Sequence, residues 1–289
     1  MSEAADPPGA GRAGIDLNVD AGESFGRWRV ADESLVFPHA TSVNLACGFH
    51  AGDPSNLLAS IGLALRHGLA IGAHPGYPDK VGFGRRAMQV SQGELVADTI
   101  YQLGAVAALV AVALAAAAAG RAAASAATAT AAEAGARPSG LHHVKAHGAL
   151  YNQMLTEPAV ASAFAEAVAA YDPTLPVLVL AGRGGDVMRS AIDAAGLEAI
   201  AEAFPDRAYL SDGTLAPRHL PGSVLADPAE IAERAVAMAI GSPFAALDGG
   251  EARVEAATLC LHGDGSSAPA AAAAVRSALD RAGIDVRAF

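Results

Sequence analysis

At 289 residues the chain is long enough for one large α/β domain or two small ones, and 52% hydrophobic against 17% charged residues excludes disorder for most of it. A formal net charge of −11, with Lys80 and Lys145 as the only lysines, argues against nucleic acid or an anionic membrane as the main partner. Cys47 and Cys260 are too few for a disulfide scaffold or a cysteine-rich zinc site, which fits a reduced cytoplasm.

Residues 1–13 lack an apolar signal core and are expected to form a disordered tail ahead of a single domain over 14–289. The first β-like run, 15–18, opens DLNVDAGESFG, where Asp16, Asn18 and Asp20 alternate and so point to one side of a strand. Three polar groups there need partners or a ligand. Glu23, past the strand, is either solvated or functional. The second run, 41–45, leads into NLACGFHAGDP, which gathers Asn44, His50 and Asp53 around Gly48 and Gly52, glycines that let the chain turn. Cys47 reads as packing. The third, 69–73, ends in GAHPGYPD with His74, and GFGRR follows with Arg85 and Arg86, one of which suits a carboxylate or phosphate.

Residues 103–120 are uncharged for about the length that crosses a bilayer. Their alanine content favours a soluble helix instead. An alanine-rich insertion over 105–136 turns polar and low in complexity after Arg121. The fourth run, 141–145, places Lys145 and His147 on one side, and a lysine aimed into a site needs an anion or a proton-transfer role. The fifth is 176–180, followed by the weak anion signal GRGGD. The sixth, 198–202, precedes a stretch of turn formers over 206–225 with Arg207, Asp212 and Arg218 as candidate contacts. The seventh, 257–261, ends in LHGDG with His262 and Asp264.

Strand-like runs alternating with helix-length segments predict parallel βα units. In such folds the loops after the strands open on one face, so His50, His74, His147 and His262 are expected to share a site. Imidazoles near neutral pKa suit proton transfer or metal ligation equally. No G-x-x-x-x-G-K-[ST] loop and no G-x-S-x-G elbow is present.

The stretches DLNVDAGESFG, VNLACGFHAGDP, AIGAHPGYPDKVGFGRR, HVKAHGALYN, EAFPDRAYLSDGTLAPR and LCLHGDG, in this order, resemble the LamB/YcsF family from Ile15 to the C-terminus. The resemblance implies a seven-stranded (β/α) barrel, TIM-like, of the glycoside hydrolase/deacetylase type. It also implies an ATP-dependent 5-oxoprolinase, assembled with two other subunits, that opens 5-oxo-L-proline to L-glutamate with ATP as co-substrate. Carried onto this chain, it makes Asp20, His50 and His147 activators of water, directly or through a divalent metal, His74 a second acid or base, and Lys145 the stabiliser of oxyanion charge. Asn18, Asn44, Arg85, Arg86, Asp212, Arg218 and His262 are the expected substrate contacts. Ala146 stands where the family usually has proline, and the alanine-rich stretch exceeds the family pattern. Two readings of other classes stand beside this one: an ATP-independent, metal-dependent deacetylase or amidohydrolase, and a non-catalytic binding subunit.

Overall fold

Strand β1 (Asp16–Ala21) is closed off from solvent on both faces except at Asp20, the situation of a parallel strand with helices on one side and the sheet's own interior on the other. The structure, a computed structural model, describes residues 14–124, 139–261 and 267–289. The expected tail over 1–13, the end of the alanine-rich stretch from 125 onward, and the candidates His262 and Asp264 lie outside the described residues. The further strands are β2 (Ser42–Ala46), β3 (Ala70–His74), β4 (Val177–Leu180), β5 (Ala199–Ala203), the two-residue β6 (Phe244–Ala245) and β7 (Glu251–Ala252), and β8 (Thr258–Leu261). Strands β6 and β7 pair with each other, and the remaining six form one parallel sheet in the order β3-β2-β1-β8-β5-β4.

The sheet curls until its edges nearly meet. Val144 bridges in parallel to Ala73 of β3 and to Val177 of β4, with Ala73 N donating to His143 O at 3.0 Å and Leu178 N to Val144 O at 2.9 Å. Seven barrel strands are expected from the sequence, and the curled parallel sheet has six. The run 141–145 pairs at a single residue on each side before the chain turns at His147 into a helix, so no ladder develops.

Eight helices are present among the described residues: α1 (Glu33–Val36), α2 (Pro54–His67), α3 (Gln92–Ala124), α4 (Gly148–Met154), α5 (Pro158–Tyr171), α6 (Asp186–Ala194), α7 (Pro228–Ala239) and α8 (Ala268–Arg281). Their ends are written locally. Asp53 caps α2 by accepting from Ser55 N and Asn56 N, Pro54 occupies the first turn, and Gly68 closes the helix at φ 70°. Ser91 and Glu94 exchange hydrogen bonds as a capping box ahead of α3. By length and composition Gln92–Ala119 is apolar enough to cross a membrane. Its Leu103, Val106 and Val110 nevertheless form a buried stripe, and the helix packs on α2 and α5.

Along β1, Leu17 and Val19 join the apolar core, while Asp16, Asn18 and Asp20 face the polar interior of the curl. That interior is a hydrogen-bonded column. Asp16 accepts from the hydroxyls of Thr41, Ser42 and Thr258, and Asn18 Nδ2 donates to Thr258 Oγ1 at 2.7 Å. Asn44 Nδ2 then donates to Asn18 Oδ1 at 2.7 Å and to Asp20 Oδ1 at 2.8 Å, while its Oδ1 accepts from His143 Nε2 at 2.6 Å. The His143 ring fits because β3 carries Gly72 opposite it, where a Cβ would overlap the ring.

Gly72→Ala is expected to lower stability by about 1–3 kcal/mol, the usual cost of overpacking, because the His143 ring must retreat and release Asn44. Urea unfolding of the variant beside the unaltered chain measures this, and an unchanged midpoint would show that the ring has room to yield.

Candidate active site

The column ends at a lysine. Lys145 is 3% exposed, and its Nζ lies 3.0 Å from Asp20 Oδ1, 3.0 Å from Glu202 Oε1 and 2.9 Å from Cys260 Sγ. Burial works against its ammonium. Asp20, with Cys260 and Glu202, more than offsets this and raises the pKa well above that of a free lysine. Burial likewise raises Glu202, with Lys145 only partly opposing it, and raises the Cys260 thiol, which therefore stays neutral and accepts from the ammonium.

Three imidazoles stand beside this cluster. His74 closes β3, with Nδ1 2.9 Å from Lys145 O and Nε2 3.4 Å from Asp20 Oδ2. His147 precedes α4, with Nδ1 3.0 Å from His74 Nε2 and Nε2 2.8 Å from Phe83 O. Burial, with His74 next to it, lowers the His147 pKa to about 3. His50 stacks flat on His147, centroids 3.7 Å apart, and neither of its ring nitrogens finds a hydrogen-bond partner in the structure. Burial, then His147 and His74, hold its pKa well below that of a free histidine.

The loop over 79–86 clamps the pair. Asp79 accepts from Gly82 N at 2.9 Å and pairs with Arg86, which closes the loop on itself. Phe83 takes a left-handed φ of 54°, rare for an aromatic residue, and its carbonyl is the one that meets His147. Gly84 follows at φ 62°, where a Cβ would strike His50 and His147.

A cavity of about 150 Å³ opens over these groups. Asp20, His74, Arg85, Lys145, His147 and Arg218 line it together with Glu23, so residues singled out from separate stretches of the sequence converge. Others are placed elsewhere. His50 packs behind His147, Asn18 and Asn44 lie below in the column, Arg86 serves the Asp79 clamp, and Asp212 holds a turn by accepting from Thr214 N and Oγ1. Asp53, in the His50 loop, caps α2 and accepts from Gly26 N at 2.7 Å.

Glu202, Cys260 and Tyr151 join the site without standing among the sequence-derived candidates. A charged residue in the otherwise apolar β5 is the available signal for Glu202. Arg207, also on the cavity wall, holds the 206–225 stretch by donating to Ala216 O and Ser223 O. Burial, with Arg218 adding repulsion, lowers its pKa to about 10. Among the described residues, Glu23, His74 and His147 each place a ligand atom within 4.8 Å of the others, a group that can hold a metal ion.

Comparison with known proteins is concordant over nearly the whole chain. The model of the LamB/YcsF family matches residues 15–119 and 122–289. A 5-oxoprolinase subunit from Thermus thermophilus is 48% identical over 95% of this chain and 99% of its own, and the corresponding Mycobacterium avium protein is 45% identical over 96% and 99%. The crystal structure of a lactam utilization protein from Thermus thermophilus superposes with a TM-score of 0.82 at 47% identity, covering 96% of this chain and all of that one.

Removing the ammonium strands two carboxylates in the interior. Lys145→Met is therefore expected to cost about 3–5 kcal/mol, and adding Glu202→Gln to recover part of the loss, since one stranded charge is then gone. Denaturant unfolding of the single and double variants decides the matter; strictly additive losses would mean that Lys145 and Glu202 do not act as a pair.

Proposed function

The chain belongs to the LamB/YcsF family, and we propose that it works as a subunit of an ATP-dependent 5-oxoprolinase, with two partner subunits, converting 5-oxo-L-proline to L-glutamate as ATP goes to ADP and phosphate. Identity over nearly the full length to relatives named as 5-oxoprolinase subunits is the observation that carries the reading. The site supports it: a cavity of about 150 Å³ is small beside the pockets of drug-sized ligands and suits a single five-membered ring.

A five-membered lactam is stable, so opening it needs coupling. Phosphorylation of the lactam oxygen makes its carbon electrophilic. Water adds there, the C–N bond breaks as the nitrogen takes a proton, and a second water releases phosphate. In this scheme the Lys145 ammonium stabilises charge on the lactam oxygen, and Asp20, His74 and His147 position and activate the attacking water. His50 supports His147 from behind. Arg85 and Arg218, on the cavity wall, take the substrate carboxylate. With no glycine-rich phosphate loop in this chain, nucleotide binding is assigned to the partners. Two free buried thiols suit the cytoplasm.

The isolated chain is expected to form no appreciable glutamate, and the complex with its partners to form it only with ATP. In that complex His147→Ala should lower turnover by at least about 100-fold with the circular dichroism unchanged. Asp20→Asn should lower it as far and depress the melting temperature as well, because Asp20 also holds Lys145. Robust ATP-independent turnover by the chain alone would replace this reading with an amidohydrolase. Normal turnover in either variant would remove that residue from the chemistry.

A further inference from the structure

Protons on the two facing histidines can be assigned from their outer partners. A backbone carbonyl only accepts, so the ring nitrogen that meets one carries the hydrogen. His74 Nδ1 meets Lys145 O at 2.9 Å, and His147 Nε2 meets Phe83 O at 2.8 Å. In a neutral imidazole the second nitrogen then holds a lone pair. Those second nitrogens, His74 Nε2 and His147 Nδ1, face each other 3.0 Å apart in a buried site. Two lone pairs at that distance repel unless something electron-poor lies between or beside them.

We infer that His74 Nε2 and His147 Nδ1, with the carboxylate of Glu23, bind a single divalent transition-metal ion of the zinc type. Two features of the molecule fit a set of metal ligands. Each ring donates its far N–H to a backbone carbonyl, the outer arrangement that orients histidine ligands and fixes their tautomer. Glu23 is buried to 6% exposure, and its carboxylate closes the triangle with the two nitrogens.

The donor set narrows the ion. Two imidazoles and a carboxylate suit zinc, manganese, iron or cobalt, while magnesium and calcium prefer oxygen alone. Metal–nitrogen bonds of about 2.0–2.1 Å at a tetrahedral angle need the nitrogens roughly 0.3 Å further apart than they stand, a small rotation of either ring. All three residues line the cavity, so such an ion would keep a position open toward it, as catalytic rather than structural sites do. A divalent ion placed there lowers the pKa of bound water. The sequence-derived metal set of Asp20, His50 and His147 thus changes membership. His50 lies behind the His147 ring, and Asp20 stands outside the group whose ligand atoms come together, its Oδ1 engaged by Lys145 and Asn44 and its Oδ2 3.4 Å from His74 Nε2.

The site can be tested without any substrate, which separates it from the lactam reading. The full chain, stripped by chelator and dialysed, is titrated with Zn²⁺ by calorimetry and with Co²⁺ by visible absorption, and its melting temperature is followed. The expected result is saturable binding of a single ion, visible cobalt bands of a low-coordinate nitrogen-containing site, and a rise in melting temperature. His74→Ala and His147→Ala should each weaken binding by at least about 100-fold, above the usual effect of an outer-shell change, and Glu23→Gln by about 10-fold or more. His67→Ala, on the exposed end of α2, should change nothing. An unaltered chain that shows neither binding heat, cobalt bands nor a melting shift overturns the site in favour of a shared proton. Binding that survives in both folded histidine variants overturns it as well, and if those variants fail to fold, the cobalt spectrum of the unaltered chain decides.

Discussion

A buried ammonium is tolerable only where anions meet it, and Lys145 meets Asp20 and Glu202 almost wholly shielded from solvent. That requirement reaches three strands at once: Asp20 comes from β1, Glu202 from β5 and the accepting Cys260 from β8, while Lys145 arrives on the segment that links the two sheet edges. Their register matters. A one-residue slip would turn the polar side chains of a strand toward the helices and apolar ones toward the lysine. The charge cluster and the curl of the sheet therefore depend on each other.

Below the lysine, the same logic runs through neutral groups. Thr258 Oγ1 both donates to Asp16 and accepts from Asn18, and Asn44 spends both amide hydrogens on Asn18 and Asp20. Each polar atom introduced inside the sheet creates a need that the next one meets, so the column is built throughout or not at all. It fixes Asp20, and Asp20 fixes the lysine. The catalytic mouth is thereby set on the sheet, and the loops have only to bring the imidazoles to it.

The sequence made much of this legible because strand alternation is a short-range signal. Asp16, Asn18 and Asp20 two apart, and Lys145 two before His147, place side chains on one face without knowledge of the fold, and the strand-end histidines follow from the geometry of parallel units. Other features had no local signature. Whether Arg85 or Arg86 lines the cavity depends on Asp79 capturing Arg86, a tertiary choice between identical neighbours. His50 bears the same local pattern as His147 yet packs behind it, because Gly76 and Gly84 leave room for its ring there. Glu202 and Cys260 sit in strands whose apolar neighbours mask them. The run at 141–145 carries a strand's composition but pairs at one residue per side, a length that composition cannot reveal.

Placing the imidazoles against a prebuilt charge cluster has a consequence for how the site tolerates change. Asp20 accepts from Asn44 and Lys145 with one oxygen and faces His74 with the other, so it belongs to the column, the lysine cluster and the histidine pair together. A substitution there loosens all three, so chemistry and folding are lost together. His147 differs. It is held by Phe83 O and by stacking on His50, contacts made by loops, and it meets the sheet at His74 Nε2, 3.0 Å away. Loss of its ring removes a group facing the cavity and leaves the column intact. The left-handed backbone at Phe83 lies in the loop over 79–86, closed by the Asp79–Arg86 pair and outside the sheet that positions the remaining charges.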